Sequence, residues 1–373
     1  MRRIVAIVEA RSDSTSFVSG RSFLLNTRVD SDPGSVRGSS RAVVALLVAA
    51  TVLLSGCLVN QRDLWAADKL RPDAPTTRPV SIANLPYGND PLQTLDVYRP
   101  SSTPRGVILW FHPGGWCCGD KATVDPLVLA TIDRGYVVVS ANYRLAPAAT
   151  AEQIVSDADR AVRFVKSQRG AWGVAGGKLI VAGGSAGGTL SLLLGSAPGR
   201  FAASDLGPLA GVDPTVDAVV SLVGPSDLRP YIGAEIGGMG PGIVELFLGC
   251  SNLGSTWPAT NSSPVSSTTT STTLAPVPMP PCDPARVLRF SPLFWTALAV
   301  LFGGDLPPAY LAYGDQDGLV PPDSQGVVLH DWWSAGGSWL ETYLDRPPAG
   351  GHNLSFDVNA TAFSLWLGLF GSP

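Results

Sequence analysis

Ser185 is the residue in this chain whose surroundings most clearly suit covalent chemistry. It stands in Gly183-Gly184-Ser185-Ala186-Gly187, a G-x-S-x-G stretch that follows the apolar run KLIVA (178–182) and precedes the helix-compatible GTLSLLLG (188–195). A serine on a sharp strand-to-helix turn sits on a strained backbone, and strand and helix can close around it only if its neighbours have almost no side chain. The small residues are therefore what the turn requires. At such a helix start the first backbone N–H groups point outward without intrahelical partners and can face a developing negative charge.

A hydroxyl is a poor nucleophile at neutral pH, so Ser185 needs a base, and the base needs an orienting carboxylate. The chain has three histidines. His112 precedes the serine, at the end of an apolar run. His330 lies in the helix-like SQGVVLHDWWSAGG, where a histidine is most often a partly exposed face residue. His352, in RPPAGGHNLSF, sits on a glycine-rich loop that can hold an imidazole over Ser185, and it is the expected base. Three candidate acids, Asp315, Asp317 and Asp323, fall together in AYLAYGDQDGLVPPDS, between serine and histidine in the chain.

The elements that would position these groups recur along the chain. Short apolar, β-rich runs occur at 107–111, 136–141, 178–182, 218–223, 309–313 and 339–344. Helix-like patterns separate several of them. The clearest is AEQIVSDADRAVRFVKSQRG, in which Ile154, Ala158, Ala161, Val162 and Val165 repeat at helical spacing before Gly170. Strands alternating with helices predict an α/β fold with a mostly parallel central sheet, flanked by helices on both faces.

Several motifs carry a family resemblance. His112-Pro113-Gly114-Gly115-Trp116, in VILWFHPGGWCCGDK, resembles the H-G-G-G loop of lipases and esterases, with proline in place of the first glycine. GDQDGLVP resembles a Gly-x-x-Asp-x-x-Val-Pro loop. SANYRLAPAA is similar to Y-R-L-A-P-E, with Ala148 in place of the glutamate, and GPSDL and FSPL (290–293) follow in order. Together these resemble a carboxylesterase of the α/β-hydrolase superfamily, in the branch related to hormone-sensitive lipase and the bacterial acetyl and feruloyl esterases, from about residue 95 to 369. The resemblance implies a Ser185, Asp317, His352 triad, with Asp315 as the alternative acid. It implies an oxyanion hole from the N–H groups of Gly114, Gly115 and Ala186, with His112 supporting that loop. Tyr143 and Arg144 would serve packing near the site. The implied substrate is a small-molecule ester with a short acyl or aryl group, and no cofactor is implied. The sequence also has no H-E-x-x-H, and its histidines are too scattered to make a zinc set.

Hydrophobic residues make up 45% of the 373 residues and charged residues 15%, which is ample material for a large core. A net charge of −4 without any long basic run excludes the footprint of a nucleic-acid binder. The stretch RAVVALLVAATVLLSGC places Arg41 before an apolar run too short to span a bilayer of about 30 Å, as in a signal peptide. Its end, Leu54-Ser55-Gly56-Cys57, resembles the lipobox of bacterial lipoproteins. That implies export, lipidation of Cys57, and anchoring to the outer face of the bacterial cytoplasmic membrane or cell envelope. The expected division is an N-terminal extension and signal peptide over 1–57, with translation starting downstream near Val36, a tether over 58–79 and a catalytic domain over 80–373.

Export makes disulfides possible. Cys250 and Cys282 flank a Ser/Thr/Pro-rich insert, 251–281, expected to be solvated and without a core of its own; a disulfide across its base would close it. Cys117 and Cys118 are adjacent, as a vicinal disulfide or as two small buried hydrophobes. Trp116 is a candidate pocket wall. Three other functions remain compatible with the sequence: an amidase or peptidase on the same fold, such as one of kynurenine formamidase type, a catalytically inactive surface-binding lipoprotein, and a solute-binding lipoprotein, which would have no use for the G-x-S-x-G turn.

Overall fold

The computed structural model describes residues 78–174, 176–233, 242–251, 256–259, 274–338, 342–352 and 360–370. The signal-like run, Cys57 and all of the tether except Arg78 and Pro79 lie outside them. The described residues belong to one unit, 60–373, organised around an eight-stranded sheet ordered β1-β2-β4-β3-β5-β6-β9-β10. The strands are β1 (Ile82–Pro86), β2 (Thr94–Tyr98), β3 (Gly106–Phe111), β4 (Tyr136–Ala141), β5 (Lys178–Gly184), β6 (Ala218–Leu222), β9 (Ala309–Ala312) and β10 (Thr342–Asp345). From β4 to β10 neighbouring strands run parallel, while β1 and β2 are added antiparallel at one edge.

The central strands β3, β4, β5 and β6 are buried almost throughout, as expected of a sheet covered on both faces. On one face, α1 (Ala151–Gln168) lays Ile154, Ala158, Ala161, Val162 and Val165 against Val107, Leu109, Val137 and Val139. Thr150 starts α1 with a reciprocal capping box to Gln153. Beside it lies α2 (Ala186–Ser196), every residue of which is buried. On the other face, Phe363 and Trp366 of the C-terminal helix α7 (Ala360–Phe370) pack with Ile108, Val138, Ile180 and Tyr310. Between them in sequence come α3 (Ile243–Leu248), α4 (Pro284–Arg289), α5 (Pro292–Phe302) and α6 (Val328–Trp333).

Two local expectations change. The run expected to begin at residue 339 is a strand only over Thr342–Asp345, and residues 339–341 lie outside the described set. The Ser/Thr/Pro-rich insert contains an antiparallel pair, β7 (Thr256–Ala259) with β8 (Leu274–Pro278). A disulfide joins Cys250 to Cys282 at the base of this insert, with Cα atoms 4.8 Å apart. Cys117 and Cys118 are free thiols, Cys117 half-buried and Cys118 exposed, so they are neither a vicinal disulfide nor a pair of buried hydrophobes.

Candidate active site

The segments carrying the candidate residues all follow the carboxyl ends of parallel strands, where open α/β sheets place their sites: 112–119 after β3, Ser185 after β5, the aspartate loop after β9 and the histidine loop after β10. Ser185 has φ 49° and ψ −115°, a conformation disfavoured for any residue with a side chain. Its N–H donates to the Leu222 carbonyl at 2.8 Å, and its carbonyl accepts from Thr189 at 3.0 Å, so both neighbouring elements hold the turn. A Cβ on Gly187 would lie 2.0 Å from the Phe111 carbonyl oxygen, which is why helix and sheet can meet here only through glycine.

His352 approaches from its loop, with Nε2 3.0 Å from Ser185 Oγ and Nδ1 2.9 Å from Asp317 Oδ2. The other Asp317 oxygen, Oδ1, accepts from the N–H groups of Leu319 and Val320, both at 2.9 Å. The carboxylate is fully enclosed, while the imidazole keeps about a quarter of its surface. The two loops are stitched together: Asp315 N–H donates to the Pro347 carbonyl and Gln316 N–H to that of Gly350, each at 2.9 Å. A Cβ on Gly314 would lie 2.0 Å from that same Gly350 oxygen. The loops that carry Asp317 and His352 are thereby joined by backbone hydrogen bonds.

Asp315 and Asp323 do not reach the histidine. Both pair with Arg346, at 2.7 and 2.9 Å, so the alternative acid is an ion-pair partner. Arg346 had no signal in the sequence, since it meets them only through tertiary folding. His330 of α6 bonds Asp331 at 3.2 Å and Ser334, just past the end of the helix, at 3.4 Å, apart from the triad residues.

Gly114 and Gly115 have φ of 129° and 58° and line a cleft of about 520 Å³ together with Ser185, His352, Trp110 and Val124. The turn they form is closed by Cys117 and Cys118 N–H groups donating to the Gly114 carbonyl at 3.2 and 3.1 Å, which leaves the glycine amides outside that pairing. His112 is buried and stacks on Tyr143 with ring centres 4.3 Å apart; its Nδ1 lies 2.8 Å from the Pro113 carbonyl, and the Tyr143 hydroxyl donates to the His112 carbonyl at 2.8 Å. Burial lowers its pKa, against smaller opposing effects of the Pro113 bond and Asp120, so a neutral ring with Nδ1–H donating fits the site. Arg144 is held by buried Asp157 of α1. Beside the loop, burial and the adjacent Cys118 thiol, 2.7 Å away, push the Cys117 thiol up to about 12, which favours its protonated form. A larger cleft, about 650 Å³, lies between the turns at Asp90 and Arg200 and contains none of the triad residues. Among the described residues no group of three His, Cys, Asp or Glu could hold a metal ion.

A serine on a strained elbow, a histidine bonded to it and a buried carboxylate orienting that histidine, on this sheet order, are the layout of an α/β-hydrolase fold. Similarity to known proteins agrees. The BD-FAE family model matches residues 95–273, which include Ser185 and the His112 loop but end before Asp317 and His352. Esterase LipC of Mycobacterium tuberculosis (strain ATCC 25618 / H37Rv) is 36% identical over 149 residues, 38% of this chain and 36% of that protein. Kynurenine formamidase of Danio rerio is 33% identical over 90 residues, 24% of this chain and 31% of that protein. The chain thus spans about a third of the length of the curated relatives it matches. A solved structure described as a truncated form of carbohydrate esterase from gut microbiota covers 81% of this chain and 99% of its own, with a TM-score of 0.58 at 21% identity, a likeness of fold.

Proposed function

We propose that the protein is a serine carboxylesterase that hydrolyses short-chain acyl or aryl esters through an acyl-enzyme. The observation that carries this reading is the continuous chain Ser185 Oγ to His352 Nε2 at 3.0 Å and His352 Nδ1 to Asp317 at 2.9 Å. As Oγ bonds the ester carbonyl carbon, its proton passes to Nε2, and Asp317 stabilises the imidazolium. The carbonyl electron pair moves to oxygen, which the N–H groups of Gly114, Gly115 and Ala186 receive; each such donor contributes about 3 kcal/mol. The carbon–alkoxide bond then breaks, and the alkoxide takes the proton from Nε2. Water repeats the sequence against the acyl-enzyme, releasing the acid and regenerating the Ser185 hydroxyl.

Hydrolysis of p-nitrophenyl acetate, butyrate and octanoate, with Ser185→Ala alongside, tests the proposal: activity that falls with chain length and vanishes in the variant supports it, and equal, negligible rates for both proteins oppose it. Amide hydrolysis is a second reading, favoured by the likeness to kynurenine formamidase; faster turnover of N-formyl or aminoacyl anilides than of matched esters would select it. A catalytically inactive binding role has less support, since it gives the strained elbow and its hydrogen-bonded histidine no purpose.

The Leu54-Ser55-Gly56-Cys57 pattern supports our further proposal that Cys57 is lipidated and anchors the exported protein to the bacterial cell envelope. Metabolic labelling with an alkynyl fatty acid, present in the full chain and lost in Cys57→Ser, would establish it; equal labelling of both would refute it.

A further inference from the structure

Beside Ser185, two buried hydrogen-bond donors have no acceptor among the described residues. Trp116 Nε1 and the Tyr231 hydroxyl are both enclosed with no hydrogen-bond partner among the described residues. Their side chains are 2% and 6% exposed and wall a recess of about 20 Å³ bounded by Ser185 and Gly115. The remaining walls, Pro225, Ile243, Val244, Leu319 and Val320, are apolar. Leaving such donors unbonded costs roughly 1–3 kcal/mol each, so they point to a ligand atom that completes them.

The recess is built rather than incidental. Trp116 adopts a φ of 59°, a left-handed conformation disfavoured for a bulky side chain. Its indole is stacked on Phe247 of α3, ring centres 4.4 Å apart. Burial and nearby Asp317 push the Tyr231 phenol up, so it keeps its proton and is a donor without an acceptor among the described residues.

Which part of an ester enters the recess follows from proton transfer. The leaving oxygen must lie against His352 Nε2 to be protonated, and His352 lines the cleft of about 520 Å³ but not the recess. Gly115 borders both and would hold the oxyanion between them. The alcohol therefore takes the wide cleft and the acyl substituent turns into the recess. A volume of about 20 Å³ is room for about one water-sized atom. A plain methyl would fit there but would leave both donors unpaired; an oxygen on the α-carbon would accept from them.

Resting on the esterase reading of Ser185, we propose that the preferred acyl group is a two-carbon acid bearing an oxygen on its α-carbon, such as hydroxyacetyl, recognised by Trp116 Nε1 and the Tyr231 hydroxyl. A site that hydrogen-bonds a substrate oxygen discriminates against the isostere lacking it far more strongly than an apolar pocket distinguishes one methylene.

The test uses the full-length protein with the phenyl esters of acetic, propionic and hydroxyacetic acids. Each kcat/KM is divided by the rate of hydroxide-catalysed hydrolysis of the same ester, which removes intrinsic reactivity. Hydroxyacetyl and propionyl have the same shape, so their normalised ratio isolates the oxygen. The expected ratio is about tenfold or more in favour of hydroxyacetyl, falling towards unity in Tyr231→Phe and in Trp116→Phe. Because the ratio is taken within one sample, a partly unfolded variant does not distort it. A ratio of one or less in the wild type overturns the proposal and means that water merely fills the recess. A high ratio that survives both substitutions overturns the assignment to these two residues. No turnover of any of the three esters, together with no fluorophosphonate adduct on Ser185, overturns the esterase reading itself, and this inference with it.

Discussion

Replacing Asp317 by asparagine separates catalysis from stability in a way that the hydrogen-bond geometry fixes in advance. In the wild type, Oδ1 accepts from the N–H groups of Leu319 and Val320, while Oδ2 faces His352 Nδ1. An asparagine has one acceptor oxygen and one donor NH2. If its NH2 took the Oδ1 position, it would confront two backbone donors, so the oxygen must stay there and the NH2 must face Nδ1. A donor facing Nδ1 makes that nitrogen the acceptor and places the ring proton on Nε2, where it points at Ser185 instead of receiving its proton. The wrong tautomer should lower kcat by about 10⁴, or about 5.4 kcal/mol. The loop bonds survive, so the thermal midpoint should stay close to wild type. Asp317→Ala should lose both activity and stability, since two loop N–H groups lose their acceptor, at about 0.5–1.5 kcal/mol each. Stopped-assay kcat on p-nitrophenyl acetate beside thermal unfolding of wild type, Asp317→Asn and Asp317→Ala reads this directly. A kcat for Asp317→Asn within tenfold of wild type would refute the tautomer reasoning, as would a midpoint loss equal to that of Asp317→Ala.

Other consequences follow from the same geometry. Gly187→Ala would drive a Cβ to 2.0 Å from the Phe111 carbonyl; overpacking of this kind costs about 1–3 kcal/mol, and an unchanged urea midpoint would show that the elbow can open without cost. Replacing Cys250 and Cys282 by serine removes a crosslink spanning 32 residues, for an expected loss of about 3–4 kcal/mol from the freed chain entropy of the unfolded state, measured as the shift in denaturant midpoint against the oxidised protein. His112 is buried and its pKa is lowered from 6.5. Below that value the unfolded chain takes up the proton before the folded one, so His112 contributes stability at neutral pH that is lost as pH falls through about 6.5. The fall in stability between pH 7.5 and 5 should therefore be smaller in His112→Gln than in wild type; identical falls would exclude the effect.

Much of this site can be read from the chain itself, and the limits have physical causes. The elbow was legible because a serine surrounded by glycines between an apolar run and a helix pattern has few other uses. His352 was legible because only three histidines compete and the other two stand in segments suited to other roles. Asp317 could be chosen from three neighbouring aspartates only through family resemblance. What separates them in space is Arg346, which takes Asp315 and Asp323, and a contact between two loops leaves no periodicity to detect. Strands β1 and β2 escaped because IANLP and TLDVY are short and mixed in polarity, as suits an antiparallel edge. Trp116 was visible as an aromatic beside the glycine loop, but its pairing with Tyr231 across the recess depends on the fold bringing 116 and 231 together.

The most direct test of the account is covalent labelling of the full-length protein with a fluorophosphonate, followed by intact-mass measurement and localisation of the adduct by peptide sequencing. One adduct per chain is expected, on Ser185, absent in Ser185→Ala and slowed by orders of magnitude in His352→Ala. No adduct in the folded wild type, or an adduct on another residue that persists in Ser185→Ala, would contradict it.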